Sequence, residues 1–361
     1  MKYLFACGGT GGHIFPALAV AEKIKQLHGK NAEVLFTGSD NGMEKEIVES
    51  RGFAFKGVSA RPLVRRAFFK NAVHAALVAK SFFEAKKIVK EFAPDCVFGT
   101  GGFASFPAVF VSAVSGIKTV IHEPNMEPGL ANKALAVFCS AVTAGFGETA
   151  KFFPAGKVTV TGNPVRESLY KVSKAQGRRN MGIKGTGPVI LIMPGSRAAA
   201  SINRAVVEAL PLLKKRIKGA SVVWMTGKEF FSKAKEAVKK AGIKAVVTEF
   251  IDDAASAYAA CDAAVLRAGA GTLSETAALK VPAVLVPYPY AAANHQEINA
   301  AVFEKSGAAI VIKDRELNGR ALAEAAAVAV SKRENAAMRK KLAAMKFKNG
   351  TGAIIKVMEG R

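Results

Sequence analysis

Both halves of this chain open in the same way, with a short apolar run, a glycine-bearing loop and then a helix, and few folds accept that alternation. In the first half Tyr3-Leu4-Phe5-Ala6 reads as a strand, and Pro16 to Leu27 as a helix with proline in its first turn. Further apolar runs stand at Ala32 to Phe36, Cys96 to Phe98, Thr119 to Ile121 and Val158 to Val160. The pattern restarts after Gly162-Asn163-Pro164. A polar stretch, 171–187, leads to a strand at Val189 to Met193, a helix at Asn203 to Ile217 and a strand at Ser221 to Met225. A helix at Glu229 to Ala241 and a strand at Ala283 to Val286 follow. Short apolar runs separated by helical stretches imply parallel sheets covered on both faces. The 361 residues exceed what one core usually holds. The expected fold is therefore α/β, with two similar doubly wound, Rossmann-like domains joined near Asn163. Ligands are expected at the carboxyl ends of the strands, in a cleft between the domains.

Composition narrows the setting. The longest apolar stretch, near 103–117, is interrupted by serines and a proline, and falls short of the roughly 18–20 residues of a membrane span. Leu4-Phe5-Ala6-Cys7 resembles a lipoprotein cleavage site, but the apolar stretch before Cys7 is far too short for a signal peptide. Cys7, Cys96, Cys139 and Cys261 form no CxxC pair and read as reduced core cysteines in the cytoplasm. The net charge of +24 favours an anionic partner. Many lysines, such as Lys233, Lys235, Lys239 and Lys240, read as the solvated face of a helix. Without a zinc-finger spacing, an RNP-like motif or a long basic tail, no nucleic-acid partner is expected. The five histidines show no metal-ligand spacing, so no metal and no cofactor are expected.

The run Ala268-Gly269-Ala270-Gly271-Thr272-Leu273-Ser274-Glu275 follows an apolar segment, 263–267, and opens what reads as a helix from Leu273 to Lys280. Small residues let a ligand come close to the backbone, and a helix N-terminus suits a phosphate. Glu275 on the first turn could grip the two hydroxyls of a ribose. Thr272-x-x-Glu275 is equally a capping box, and the two readings are compatible. Two more glycine loops, Cys7 to His13 and Gly99 to Ser105, each follow a strand. The first does not match GxGxxG, and no Gly-Lys-Ser/Thr is present.

Taken together, the motifs resemble the bacterial MurG family. They are Gly-Gly-Thr-Gly-Gly-His-Ile-Phe-Pro-Ala at 8–17, Gly-Thr-Gly-Gly-Phe-Ala-Ser at 99–105, His-Glu-Pro-Asn at 122–125 and Gly-Asn-Pro-Val-Arg at 162–166. Phe-Ile-Asp-Asp at 250–253, the 267–275 loop and His-Gln-Glu-Ile-Asn-Ala at 295–300 complete the set, in order along nearly the whole chain. The resemblance implies a GT-B fold, with two Rossmann-like doubly wound domains facing a deep cleft. It implies an inverting N-acetylglucosaminyltransferase that moves GlcNAc from UDP-GlcNAc onto lipid I, in a β-1,4 linkage, to give lipid II for peptidoglycan. The expected division is an acceptor and membrane domain at 1–162, joined by a segment from about 342 to 361 that crosses back, and a UDP-GlcNAc domain at 163–341. The expected location is the cytoplasmic face of the membrane, bound peripherally, with other cell-wall synthesis proteins as further partners.

The same resemblance implies the donor contacts. Arg166 would reach the donor, Ser196 its phosphates, and the backbone of Ile251 the uracil. Ala270, Gly271, Thr272, Leu273, Ser274 and Glu275 would cradle the diphosphate and ribose, and Gln296 would read hydroxyls of the transferred sugar. Thr10, Gly11, Gly12 and Asn125 would complete the donor side, and Gly101, Gly102 and Ser105 would face the acceptor diphosphate. The chain departs from the family pattern at Pro194 and Ala198 in a third glycine loop, at Phe103, where tyrosine is common, and at Pro124, where glutamine is common.

Sugar transfer needs a base for the acceptor hydroxyl and stabilisation of the leaving diphosphate. No Asp-x-Asp occurs, so the helix start at Thr272, with Ser196, Arg166 and Arg267, is expected to supply that stabilisation. His13, at a loop-to-helix junction and with an ordinary pKa near neutral, is either the base or a residue that holds the loop and positions the acceptor. Glu123 is either a second base or a hydrogen-bond partner. His28 and His74 read as surface residues and Trp224 as core. For membrane contact, Arg65, Arg66, Phe68, Phe69, Phe82 and Phe83 combine basic and apolar side chains, as attachment to an anionic inner leaflet requires. A core-facing amphipathic helix is the alternative. Two other functional readings stay open: transfer to another lipid such as diacylglycerol, and an inactive sugar-nucleotide binding protein.

Overall fold

The computed structural model describes residues 1–61, 68–195, 199–291, 294–345 and 347–361, and leaves aside the side chains of 68–75. The chain divides into two compact units, Met1–Val165 with Lys348–Arg361, and Arg166–Phe347.

The first unit holds strands β1 (Lys2–Ala6), β2 (Glu33–Ser39), β3 (Ala54–Val58), β4 (Cys96–Gly99), β5 (Lys118–Glu123), β6 (Ala141–Ala144) and β7 (Val158–Val160). They form one sheet in the order β3-β2-β1-β4-β5-β6-β7, parallel throughout. Period-two alternation covers both faces. Tyr3, Phe5 and Cys7 face the helices Gly11–His28 and Thr351–Glu359, whereas Leu4 and Ala6 face the helices Phe68–Phe92 and Phe106–Val114. Phe5 stacks on Phe36, with centroids 5.0 Å apart, and meets Phe98 edge-on at 5.6 Å. Glu359 ties the C-terminal helix down: its Oε1 accepts from the Tyr3 hydroxyl at 3.0 Å and lies 2.6 Å from His28 Nε2. His28, with its side chain 28% exposed, is thus a partly exposed residue with a carboxylate partner.

The second unit holds β8 (Val189–Met193), β9 (Ser221–Met225), β10 (Lys244–Thr248), β11 (Ala263–Leu266), β12 (Ala283–Leu285) and β13 (Ala309–Val311). The order is β10-β9-β8-β11-β12-β13, again parallel. Trp224 is fully buried, and its indole N–H donates to Asn203 Oδ1 at 3.0 Å. All four cysteines are free and buried, and burial pushes the thiols of Cys96 and Cys261 up to about 12.

Both sheets are doubly wound, with strand order reversing beside the first strand. In the first unit Ala6 pairs with Gly99 across β1 and β4, and in the second Met193 pairs with Leu266 across β8 and β11. The segments leaving those strands therefore emerge side by side at a switch point, where open α/β sheets bind ligands.

Two helices begin earlier than the sequence suggests. The first starts at Gly11 and contains Pro16, rather than starting there. The Thr10 carbonyl accepts from the N–H groups of His13 and Ile14, at 3.0 and 3.3 Å, so the two glycines form the first turn. The other helix runs Ala270–Leu279, with Gly269 as N-cap and no side-chain cap. Thr272 therefore lies inside the first turn, and the capping-box reading does not hold.

Candidate active site

In the first unit, the loops after β1 and β4 lock together. Gly102 has φ +84°, and a Cβ there would strike the Gly8 carbonyl oxygen, so glycine is required. That same oxygen lies 2.9 Å from His13 Nδ1, with Thr10 Oγ1 at 3.3 Å from the same nitrogen. The Thr100 hydroxyl donates to the His13 carbonyl at 2.7 Å, which ties the second loop to the first helix. Ser105 is buried, and its hydroxyl donates to the Gly102 carbonyl at 3.0 Å. It shapes the second loop from within.

Glu123 ends β5 at 1% exposure, with both oxygens engaged. Oε1 accepts from the backbone and side-chain N–H groups of Asn125 at 2.9 and 3.0 Å. Oε2 accepts from Gly129 N–H at 3.1 Å and Asn132 Nδ2 at 2.9 Å. Burial raises its carboxyl above the ordinary value, and these donors oppose that shift. A carboxyl so enclosed holds the 124–129 loop and orients Asn125. His122 is fully buried between Thr143 Oγ1 (3.0 Å) and Asn163 Oδ1 (2.9 Å), and burial lowers its pKa to about 4. Asn163 Nδ2 in turn donates to the Pro124 carbonyl at 2.9 Å. The His-Glu-Pro-Asn and Gly-Asn-Pro motifs thus meet in one buried network.

In the second unit the helix Ala270–Leu279 follows β11 at the switch point. Its Leu273 N–H donates to the Gly269 carbonyl at 2.9 Å, so the N–H groups of Ala270, Gly271 and Thr272 lie ahead of the helical ladder. A Cβ on Gly271 would meet nothing within 4 Å. Leu273 and Ser274 are buried, and the Ser274 hydroxyl donates back to the Ala270 carbonyl at 2.7 Å. Glu275 Oε1 accepts from Arg166 Nη2 at 3.0 Å, with side chains 15% and 11% exposed respectively. Tyr258 lies buried beside this pair, and desolvation followed by the Glu275 charge pushes its phenol well up. Ile251 is buried just after the half-exposed Phe250. Gln296 Oε1 accepts from Tyr288 N–H at 2.9 Å, which fixes the amide orientation.

Arg267 departs from expectation. Its guanidinium donates to Asp314 Oδ1 at 2.6 Å, to the carbonyls of Val286 and Pro287 at 3.1 Å each, and to Ser201 Oγ at 2.9 Å. Such a buried, engaged cation braces the strand ends. Ser196, Arg65 and Arg66 lie outside the described residues, as do the side chains of Phe68, Phe69 and His74. Phe82 is half-buried and packs on Phe106 and Phe110, with centroids 6.2 and 5.7 Å apart. Phe83 is 76% exposed. Among the described residues no group of three or more His, Cys, Asp or Glu is placed to hold a metal, and no helix is long and apolar enough to cross a membrane.

Residues 3–144 match the family model of the glycosyltransferase family 28 N-terminal domain, and residues 189–353 that of its C-terminal domain. A UDP-N-acetylglucosamine–N-acetylmuramyl-(pentapeptide) pyrophosphoryl-undecaprenol N-acetylglucosamine transferase of Halothermothrix orenii is 39% identical over 331 residues, 89% of this chain and 88% of that protein. The chain belongs to the MurG family. A second member so named, from Thermoanaerobacter sp., is 41% identical over 329 residues, 89% of each chain. The crystal structure of Acinetobacter baumannii MurG superposes with a TM-score of 0.75 at 27% identity, covering 100% of this chain and 99% of that one. The chain is thus a glycosyltransferase of GT-B architecture. Sequence motifs did not single out Asn132, Tyr258 or Glu44. Each stands outside any recognisable motif in sequence, and only the fold brings it beside one.

Proposed function

We propose that this enzyme transfers N-acetylglucosamine from UDP-GlcNAc to the muramyl sugar of lipid I, with inversion, to form lipid II. The observation that carries this reading is the helix start at Ala270, placed at a switch point without a side-chain cap and followed on the same helix by a carboxylate held by Arg166. The free N–H groups suit a diphosphate and Glu275 suits the ribose diol. The second unit would hold UDP-GlcNAc through Arg166, Ser196, Ile251, Ala270 to Glu275 and Gln296. The first would supply Thr10, Gly11, Gly12 and Asn125 to the donor, and Gly101, Gly102 and Ser105 to the acceptor diphosphate. His13 would take the proton from the acceptor hydroxyl, while Glu123 would keep the neighbouring loop in place. Relatives named for the muramyl-pentapeptide lipid favour that acceptor over diacylglycerol.

A radiolabelled transfer assay with UDP-GlcNAc and a lipid I analogue tests the reading. Label should reach the lipid I analogue and not diacylglycerol, and the absence of transfer to either would leave a binding protein. In the same assay Gln296→Ala should blunt discrimination against UDP-GalNAc, because a site that hydrogen-bonds a sugar hydroxyl rejects the epimer that leaves its polar group unpaired. Equal selectivity in variant and parent would remove Gln296 from sugar recognition.

A lipid-linked acceptor stays in its bilayer, so the first unit would dock on the anionic inner leaflet. Phe83 stands exposed on its helix beside Lys80, Lys86 and Lys87, a basic rim around an apolar side chain. Binding to anionic vesicles should weaken with salt and fall in Phe83→Ala and in Arg65→Glu/Arg66→Glu, while transfer to a short-chain soluble acceptor persists. Vesicle binding unchanged in both variants would move the docking surface elsewhere.

A further inference from the structure

Glu44 opens the helix Glu44–Glu49, yet it is 0% exposed, beneath the loop that follows β1. Its Oε1 accepts from Gly9 N–H at 2.7 Å. Gly8 in the first loop, and Gly38 and Gly42 in the segment leading into Glu44, make room for it. A Cβ on Gly8 would stand 2.6 Å from its Oε1, one on Gly38 would stand 3.3 Å from its Cγ, and one on Gly42 would overlap the carboxyl group. Its Oε2 is buried with no hydrogen-bond partner among the described residues. A side chain kept for packing alone would be apolar, because an orphaned buried acceptor costs stability.

The peptide unit between Gly8 and Gly9 explains the carboxyl. Its N–H end donates to Glu44, and its carbonyl end meets His13 Nδ1 at 2.9 Å. We propose that Glu44 is a positioning residue for His13, acting through this single peptide. Hydrogen bonds in series polarise one another, so an acceptor on the N–H makes the carbonyl a better acceptor. A better acceptor at Gly8 holds the proton on Nδ1 and leaves the lone pair on Nε2, the form a general base needs. Gly102 completes the arrangement, since any side chain there would displace the Gly8 carbonyl. The inference rests on the reading of His13 as base.

The test combines 15N NMR of histidine-labelled enzyme with steady-state kinetics. Glu44→Gln keeps shape and an acceptor oxygen. Glu44→Met fills the same space with neither acceptor nor charge, and apolar replacements of buried charged groups are often tolerated. The parent should show the Nδ1–H form of His13, and the glutamine variant should largely keep it. The methionine variant should shift both ring nitrogens and lower kcat by about tenfold, the lower end of the roughly 10–100-fold that loss of an orienting partner costs at metal-bound histidines. The KM for UDP-GlcNAc should stay near the parent's. Ring-nitrogen shifts unchanged in Glu44→Met would overturn the proposal, as would equal losses in the two variants. Altered shifts with unchanged turnover would leave the coupling standing and remove His13 as the base.

Discussion

Turnover is expected to collapse in His13→Ala while UDP-GlcNAc affinity stays close to the parent's. Proton transfer by a placed side chain contributes roughly 10²–10⁴-fold to rate, and the loss should fall in that range. Geometry supports the choice. His13 sits where the first loop becomes a helix, and its Nδ1 is oriented by the Gly8 carbonyl and Thr10. The competing carboxylate, Glu123, is enclosed and engaged by Asn125, Gly129 and Asn132. Isothermal titration gives the donor affinity and a saturating-substrate assay the turnover. Lost affinity with retained turnover would return His13 to a loop-holding role. A parent-like pH optimum surviving in the variant would place the base on another residue.

How much of this was legible in the chain depends on burial. The strands buried on both faces, such as β1, β8 and β9, read as continuous apolar runs, and the sequence bounds match those observed to within a residue. The interior strand β6, a run of four residues from Ala141 to Ala144 too short and small to stand out, is missed in the sequence, as are the edge strands β3, β10 and β13, although the edge strand β7 is found. An edge strand shows one face to solvent, so β3 carries Lys56 and Gly57 and β10 starts with Lys244, and neither reads as an apolar run. The glycines misled in the opposite direction. Gly11, Gly12 and Gly271 weaken a helix by propensity, so the sequence suggests loops, yet each lies in a first helical turn. There a bare backbone suits close approach by a ligand, and packing of the apolar helix face behind it offsets the propensity cost.

The candidate site divides along the same line. Loops with repeated glycines announce themselves, because sterics restrict what can replace them. Side chains that act by contact do not. Arg166 belongs to a recognisable motif, but its pairing with Glu275, 109 residues away, could not be read from spacing. Arg267 lies next to the glycine loop in sequence, and the fold turns it toward Asp314 instead. Glu44 sits in a polar stretch that suggests a solvated helix, and its burial follows from the three glycines around it.

Glu275→Ala should weaken UDP and UDP-GlcNAc together, because the ribose is common to both. Hydrogen bonds to a charged group contribute about 1.5–3 kcal/mol each. Losing two, partly replaced by water, corresponds to a fall of roughly a hundredfold in affinity. The ion pair adds a second consequence. Breaking a buried pair by removing one partner costs about 3–5 kcal/mol of stability. With the side chains of Arg166 and Glu275 at 11% and 15% exposure, the cost here should fall below that range but still lower the melting temperature. Glu275→Gln separates the two effects. The amide can still accept from Arg166, so most of the stability should return, while the weaker acceptor leaves UDP affinity between those of Ala and parent. A lower melting temperature with unchanged UDP affinity in Glu275→Ala would make Glu275 a structural partner of Arg166 and remove it from the ribose. Equal losses for UDP and for uridine alone would keep the carboxylate on the ribose and assign none of its effect to the diphosphate. A loss confined to UDP would show that Glu275 acts through Arg166 on the phosphates.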